Sequence, residues 1–110
     1  MVKSTSAHLD RLFGALSDPT RRAILAQLHA TRTLTVTELA RPLPISLPAV
    51  MKHLDVLEGA GLVARRKTGR SVACRLTPEP MEDAMAWLEH YRRFWSESLD
   101  RLAAAVEEAP

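Results

Sequence analysis

Apolar residues along the first thirty positions recur at the three- and four-residue steps of amphipathic helices. The first such stripe predicts a short helix that ends near Ser17, and it consists of Leu9, Leu12, Phe13 and Leu16. Ser17 or Asp18 can cap a second helix, because Pro19 in its first turn has no N–H that needs a partner there. This helix is predicted to run to about residue 30, and its buried face consists of Ile24, Leu25 and Leu28.

Two further short helices are predicted between residues 35 and 60. Thr35 and Glu38 have the spacing of a capping box, so "TVTELAR" reads as the start of a helix with an apolar inner side. Two prolines then interrupt the chain, and Ser46 can cap the next helix, which two glycines bring to an end near residue 60. Two short helices joined by a tight turn form the helix-turn-helix motif.

The second of these helices, in "SLPAVMKHLDVLEGAGLV", has two different faces on a helical wheel. An arc of about 80° is predicted to face the core and contains Leu47, Val50, Leu54, Leu57 and Gly61. The opposite arc contains Pro48, Ala49, Lys52, Asp55 and Val56. Small and apolar side chains let a helix approach base edges and thymine methyls, and Lys52 can meet a phosphate or a guanine. The alternative is a short solvated face with few charges.

The segment "VARRKTGRSVACRL" predicts a β-hairpin with Thr68 and Gly69 at its centre. Its cations are Arg65, Arg66, Lys67 and Arg70. A basic hairpin directly after a helix-turn-helix can enter a minor groove or touch phosphates. Charge is distributed accordingly, because residues 41–70 have a net charge of +4 and residues 79–110 a net charge of −5. The pattern favours double-stranded DNA as the partner of the central segment.

The C-terminal part predicts one long helix from about residue 79 to 107. Its apolar stripe consists of Met81, Ala84, Leu88, Tyr91, Trp95, Leu99, Leu102 and Val106. About 28 residues would span about 40 Å, more than so small a domain can cover, so part of the stripe is expected to pack on a second chain. Trp87, Phe94 and Trp95 fit a dimer core better than an aromatic ligand site.

Composition fits one domain over residues 1–110, since 46% of the 110 residues are hydrophobic and 25% are charged. No apolar run reaches the roughly 18 residues of a membrane span, and the N-terminus lacks a secretion signal. We therefore expect a cytoplasmic, nucleoid-associated protein with no membrane partner. The single Cys74 excludes an internal disulfide.

Three blocks in this order, "ALSDPTRRAILAQL", "SLPAVMKHLDVLEGAGLV" and "RRKTGRSVACRL", resemble the ArsR-type winged helix-turn-helix repressors. The resemblance implies a mainly α fold with a small β-hairpin wing, and a homodimer that occupies a promoter. It implies DNA contacts at Ser46, Leu47, Ala49, Met51, Lys52, His53, Arg65, Lys67 and Arg70. It places the dimer interface on the first and last helices, at Leu9, Leu12, Phe13, Leu88, Tyr91, Trp95, Leu99 and Leu102.

Leu47 and Met51 are apolar where many members of this family have polar residues. We therefore expect sequence specificity to depend more on methyl contacts, His53, the wing and DNA shape. His53 borders the buried arc, so a hydrogen-bonded position at the core edge is an alternative to DNA contact.

No cofactor and no metal site of the known kinds is expected. The third helix lacks the Cys and His of metal-sensing members, and His90 has no His or Cys three or four residues away. His8 and His29 are expected at the surface, and Cys74 alternates with Val72 and Leu76 as a small buried residue. No P-loop, G-x-S-x-G or HExxH sequence suggests an enzyme. The effector is unknown, and the remaining alternatives are a protein-interaction module or a sensor with a non-standard metal or redox site.

Overall fold

The computed structural model describes residues 6–108, in which helices predominate and three strands form one small sheet. The helices are α1 (Ser6–Leu16), α2 (Pro19–Ala30), α3 (Val36–Ala40), α4 (Leu47–Gly59) and α5 (Glu79–Glu108). The strands are β1 (Thr33–Thr35), β2 (Val63–Thr68) and β3 (Ser71–Leu76). This order confirms the predicted winged helix-turn-helix fold. The predicted domain limits at residues 1 and 110 lie outside the described residues.

The sheet is antiparallel, with β3 in the centre and the order β1-β3-β2. The hairpin of β2 and β3 lies in the predicted segment, but its two-residue turn consists of Gly69 and Arg70, one position later than predicted, because Thr68 still pairs with Ser71. Strand β1 was not predicted, because three residues are too few to show an alternating pattern. It forms because Leu34 lies opposite Cys74 and places a further apolar side chain beside the core.

The helix caps follow the sequence signals closely. Asp18, and not Ser17, caps α2, since its carboxylate accepts a hydrogen bond of 3.0 Å from the Arg21 N–H. Both hydrogen bonds of the predicted capping box at α3 are present, at 2.8 and 3.1 Å. The Ser46 hydroxyl accepts from the Ala49 N–H at 3.3 Å at the start of α4. Each cap satisfies a backbone donor that the first turn of a helix leaves without a partner.

The core lies between the first four helices and the inner face of the sheet. Its largest fully buried side chains are Leu12, Ile24, Leu28, Leu39, Val50, Leu54, Leu57, Leu62 and Cys74. Among the described residues no polar or charged residue is fully buried, so burial of apolar surface dominates the stability of this core. The buried stripe of α4 thereby fixes which side of the helix faces solvent.

The chain reverses sharply after α4 at Gly61, which has a φ of +78°. The wheel predicts Gly61 on the core arc of the helix, but α4 ends at Gly59 and Gly61 lies in the turn beyond it. The Leu62 N–H donates to the Leu57 carbonyl at 2.9 Å and closes this turn. A Cβ at position 61 would lie 3.0 Å from the Pro80 Cγ, so glycine also permits the close approach of α5.

Helix α5 has 30 residues and is therefore about 45 Å long. Its first turns pack on the body of the protein, where Ala84 is buried and Met81 is half-buried. The His8 Nε2 lies 3.2 Å from an Asp83 carboxylate oxygen, a contact that also links α1 to this part of α5. Within the described chain, no helix combines the length and the apolar character needed to cross a membrane.

Candidate nucleic-acid interface

The outer face of α4, defined by Pro48, Ala49, Lys52, Asp55 and Val56, lies opposite the buried stripe of that helix. Four of these residues are exposed and Ala49 is half-buried. Lys52 has no carboxylate within ion-pair distance in the part of the chain that the structure describes. The face therefore presents one free ammonium group among short side chains, which allows close approach to a groove of DNA.

Leu47 and Met51 lie beside this face, toward the hairpin. The wheel prediction that Leu47 faces the core is wrong, because 49% of its surface is exposed. Leu47 is the first residue of α4, and the residues of that helix that pack on the core begin at Val50. Met51 is half-buried and packs against the core. Both line a groove of about 330 Å³ between α3, α4 and the hairpin, which Arg70 and Val72 also line. Two predicted DNA-binding residues thus form an apolar wall next to a cation.

The hairpin tip, defined as residues 66–70, is basic and exposed. Gly69 has a φ of +61°, a left-handed conformation that glycine adopts without strain and that the two-residue turn requires. Arg66, Lys67 and Arg70 are exposed, and none has a carboxylate partner among the described residues. Three cations with unpaired charge are therefore available at the tip for a polyanion.

Arg65, predicted to contact DNA, is half-buried and bonds to side chains of its own chain instead. It lies opposite the buried Cys74 in the sheet and so points to the inner side, where α4 packs. Its guanidinium donates hydrogen bonds of 2.7 Å to Asp55 and 2.6 Å to Glu58, and only 17% of its side chain is exposed. These bonds lower the pKa of Glu58 and raise that of Arg65. Arg65 therefore neutralises two carboxylates on α4 and joins the hairpin to that helix.

His53 is another predicted DNA contact whose side chain bonds to other elements of the same chain. The Arg21 Nη1 lies 3.3 Å from the His53 Nδ1, and the Asp18 carboxylate lies 3.9 Å from the same atom. Because a guanidinium only donates, Nδ1 accepts this bond and the proton of a neutral ring lies on Nε2. The geometry corresponds to the hydrogen-bonded position at the core edge, with Nε2 left as a donor.

Arg21 is a residue that sequence reasoning missed. Its side chain also donates to the Ala15 carbonyl at 2.8 Å and to the Gly14 carbonyl at 3.1 Å, which are both in α1. One guanidinium thus links the end of α1 and the start of α2 to the side of α4. The segment "SDPTRR" contains a signal for this role. An arginine three positions after the cap of α2 is also only a few residues beyond the end of α1, so its side chain can reach the last carbonyls of that helix.

A second surface is apolar and lies far along α5. The α5 stripe, defined as Leu88, Tyr91, Trp95, Leu99, Leu102 and Val106, is exposed at every position. Trp87 lies beside it, in contact with Phe13 at 5.8 Å and Tyr91 at 5.0 Å between ring centroids. An exposed apolar surface of this length is unusual for a monomeric protein.

The α1 residues predicted for the dimer interface differ in exposure. Phe13 is 36% exposed and Leu9 is half-buried. Leu12 is fully buried within its own chain, so its assignment to the interface is wrong. Its position in the apolar stripe of α1 is correct, but the centre of that stripe packs on the body of the same chain.

Candidate sensing residues do not form a recognised site. Cys74 is fully buried, and this burial raises the pKa of its thiol, which disfavours the reactive thiolate. His29 and His90 are exposed, and the His90 ring packs edge-on against Tyr91 at 4.8 Å. Over residues 6–108, no three His, Cys, Asp or Glu side chains are grouped to hold a metal ion.

The chain is similar to known proteins over nearly all of its length. A family model described as a helix-turn-helix domain matches residues 16–66. An HTH-type transcriptional regulator of Mycobacterium tuberculosis is 41% identical over 104 residues, which cover 94% of either chain. The transcriptional repressor SdpR of Bacillus subtilis is 29% identical over 76% of this chain and 91% of its own.

A solved structure is also similar at the level of the whole fold. It is described as an ArsR-like transcriptional regulator from a Rhodococcus species, and its TM-score is 0.75 at 33% sequence identity. The match covers 100% of both chains. The likeness therefore includes the long C-terminal helix as well as the helix-turn-helix and the hairpin.

Proposed function

Since the chain belongs to the ArsR family of winged helix-turn-helix regulators, which bind DNA and are not enzymes, we propose that it is a homodimeric repressor of a palindromic operator. In this proposal α4 enters the major groove and the hairpin tip reaches the adjacent backbone or minor groove. Two copies related by a two-fold axis read two half-sites, about one helical turn apart.

One observation supports the DNA-binding surface above all others. The free cations, Lys52 on α4 and three residues at the hairpin tip, lie on two elements that Arg65 holds together. The charge of Asp55, which would repel phosphates from the outer face of α4, is balanced by Arg65. The reading elements therefore form a unit with a net positive surface.

The proposal gives the predicted contact residues different roles. Lys52, Arg66, Lys67 and Arg70 neutralise phosphates or bond to guanine. Short or apolar side chains permit close approach of α4, and these are Ser46, Leu47, Pro48, Ala49 and Met51. Arg65 and His53 act as positioning residues, because their side chains bond to neighbouring elements of the same chain.

The proposed dimer uses the α5 stripe together with Phe13 and Leu9 of α1. The exposed Leu, Tyr and Trp side chains would be unfavourable in water, and two copies of one stripe can cover each other across a two-fold axis. Aromatic rings such as Trp95 contribute large contact areas at protein interfaces. The dimer also fixes the distance between the two copies of α4.

A titration of salt tests the DNA-binding part of this proposal. The operator is first identified by sequencing the genomic fragments that purified protein retains. Fluorescence anisotropy with that operator then measures the dissociation constant from about 50 to 200 mM salt, over which several phosphate contacts lower affinity by about 10³-fold or more. A dissociation constant that hardly changes with salt, or no retained fragment, would instead indicate a protein-interaction module.

A further inference from the structure

An apolar groove of about 420 Å³ lies where α2 meets the end of β3 and the start of α5. Its floor consists mainly of Leu25, Leu62, Leu76 and Met81. None of its lining residues belongs to the outer face of α4, the hairpin tip or the α5 stripe. The volume lies within the usual range of small-molecule sites, about 300–1,000 Å³. The groove is therefore a separate concave surface that the proposed function leaves unused.

The rim of this groove carries positive and hydrogen-bonding groups but no acidic residue. Arg22 and His29 lie two turns apart on the same side of α2, about 10 Å along its axis, and both are exposed. Arg22 donates one hydrogen bond of 2.8 Å to the Leu16 carbonyl, and no described carboxylate lies within ion-pair distance of it. A guanidinium has five N–H donors, so most of those of Arg22 are available to a ligand.

We propose that this groove binds a small apolar carboxylate, with its hydrocarbon part on the leucine floor and its carboxylate on Arg22. The planar guanidinium matches the two oxygens of a carboxylate, and an apolar chain replaces water on the floor. At about 30 Å³ per water-sized group, the groove holds on the order of a dozen non-hydrogen atoms. Decanoate has this size and polarity.

The groove borders the place where the turn after α4 is hydrogen-bonded to the residues just before α5. Leu62 follows the turn after α4, and its carbonyl accepts a hydrogen bond of 2.9 Å from the Thr77 N–H. The Thr77 hydroxyl donates to the Gly61 carbonyl, so two bonds join this turn to the start of α5. A ligand that packs on Leu62 and Met81 therefore contacts both sides of this junction. We infer that it changes operator affinity, an inference that rests on the proposed function.

Isothermal titration calorimetry of the full chain with decanoate, below its micellar concentration, tests the site directly. Decanol has the same chain without the charge, and we expect it to bind at least about tenfold more weakly. Arg22→Gln should weaken decanoate binding about tenfold, the effect of one hydrogen bond to a charged group. Arg41→Gln removes an exposed arginine outside the groove and should leave binding unchanged.

A second variant separates a filled groove from a damaged fold. Ala26 lines the groove and is exposed, so Ala26→Trp should occupy it without disturbing the core, leaving the unfolding midpoint unchanged and decanoate unbound. Equal affinity for decanoate and decanol, or unchanged binding by both variants, would overturn the site. A changed dimer mass in Ala26→Trp would assign the groove to the dimer interface and overturn it too.

Operator binding with and without decanoate tests the regulatory part. We expect the dissociation constant for the operator to change at least threefold at saturating decanoate, and Arg22→Gln to shift this response to about tenfold higher decanoate. Calorimetric binding with an unchanged operator constant would overturn the regulatory part alone. If ligand-free protein retains no DNA, the proposed function fails, while the calorimetric result on the site still stands.

Discussion

Helix α4 and the outer half of α5 have the same kind of apolar stripe but opposite surroundings. Leu54 in α4 is fully buried within the chain, whereas Leu99 in α5 exposes 61% of its surface. The polar groups differ in the same way, because Asp55 and Glu58 of α4 bond to Arg65 of the hairpin, while the described ion pairs of the outer half of α5 stay within that helix, such as Arg93 to Glu97 at 3.5 Å. Periodicity alone therefore does not tell whether a stripe serves the chain's own core or a partner.

The largest effect is expected from a charge placed within the α5 stripe. In the dimer, Trp95→Asp or Leu99→Asp would bury a carboxylate without a partner, which costs more than about 3 kcal/mol and weakens association over 100-fold. Light scattering at micromolar concentration should show a monomer. Arg93→Asp introduces the same charge on the opposite side of α5 and should remain dimeric. If both Trp95→Asp and Leu99→Asp kept the mass of a dimer, the α5 stripe would not form the dimer interface.

Leucine-to-alanine changes at the two compared positions should affect different quantities. Leu54→Ala should lower the free energy of unfolding in urea by about 2–5 kcal/mol, because a cavity remains in the core. Leu99→Ala should instead raise the dimer dissociation constant more than tenfold, as measured by dilution. If Leu54→Ala also weakened the dimer tenfold, the two stripes would be coupled and the contrast between them would not hold.

A smaller effect is expected at the reading elements. Lys52→Ala or Arg70→Ala should each weaken operator binding by about 1–3 kcal/mol and lower the salt dependence by about one phosphate contact per subunit. Arg93→Ala removes a cation from α5 and serves as the matched control. Anisotropy with operator DNA gives both quantities. Unchanged affinity in both test variants would contradict the assigned contacts.

The smallest effect concerns acid pH and the bonds of Arg65. Hydrogen bonds from Arg65 lower the pKa of Glu58 in the folded protein. Their contribution is present above the ordinary glutamate pKa of about 4.3 and is lost as pH falls through the lower folded value. Since Glu58 is partly exposed, the loss in unfolding free energy should stay below about 1 kcal/mol. Urea unfolding at pH 7 and pH 3 should show this extra loss in the wild type but not in Glu58→Gln.

Local signals in the sequence were sufficient for most of the fold. The capping pair Thr35 and Glu38 depends on neighbours a few residues away, and the structure has it as predicted. The hairpin turn depends on equally local signals and lies one position later than predicted, at Gly69 and Arg70. The family resemblance is confirmed by relatives that match nearly the whole chain. Strand β1 was missed, because it exists only through pairing with β3, forty residues later.

The candidate site was less predictable, because it depends on which charges meet in space. A row of four cations in the hairpin reads as one basic patch, but strand alternation turns Arg65 inward to two carboxylates of α4. His53 and Arg21 are 32 positions apart, and no local pattern predicts their contact. Likewise, Leu12 and Phe13 are neighbours in one stripe, but only Phe13 remains open to a partner.

The inward Arg65 has a consequence for protein engineering. Because it fastens the base of the hairpin to α4, the five positions 66–70 extend from a fixed support and can be varied together as a cassette. A library confined to this cassette would change which DNA flanks are tolerated, while α4 continues to select the central bases. Asp55, Glu58 and Arg65 would need to stay constant, because their hydrogen bonds hold the hairpin against α4 whatever the residues at its tip.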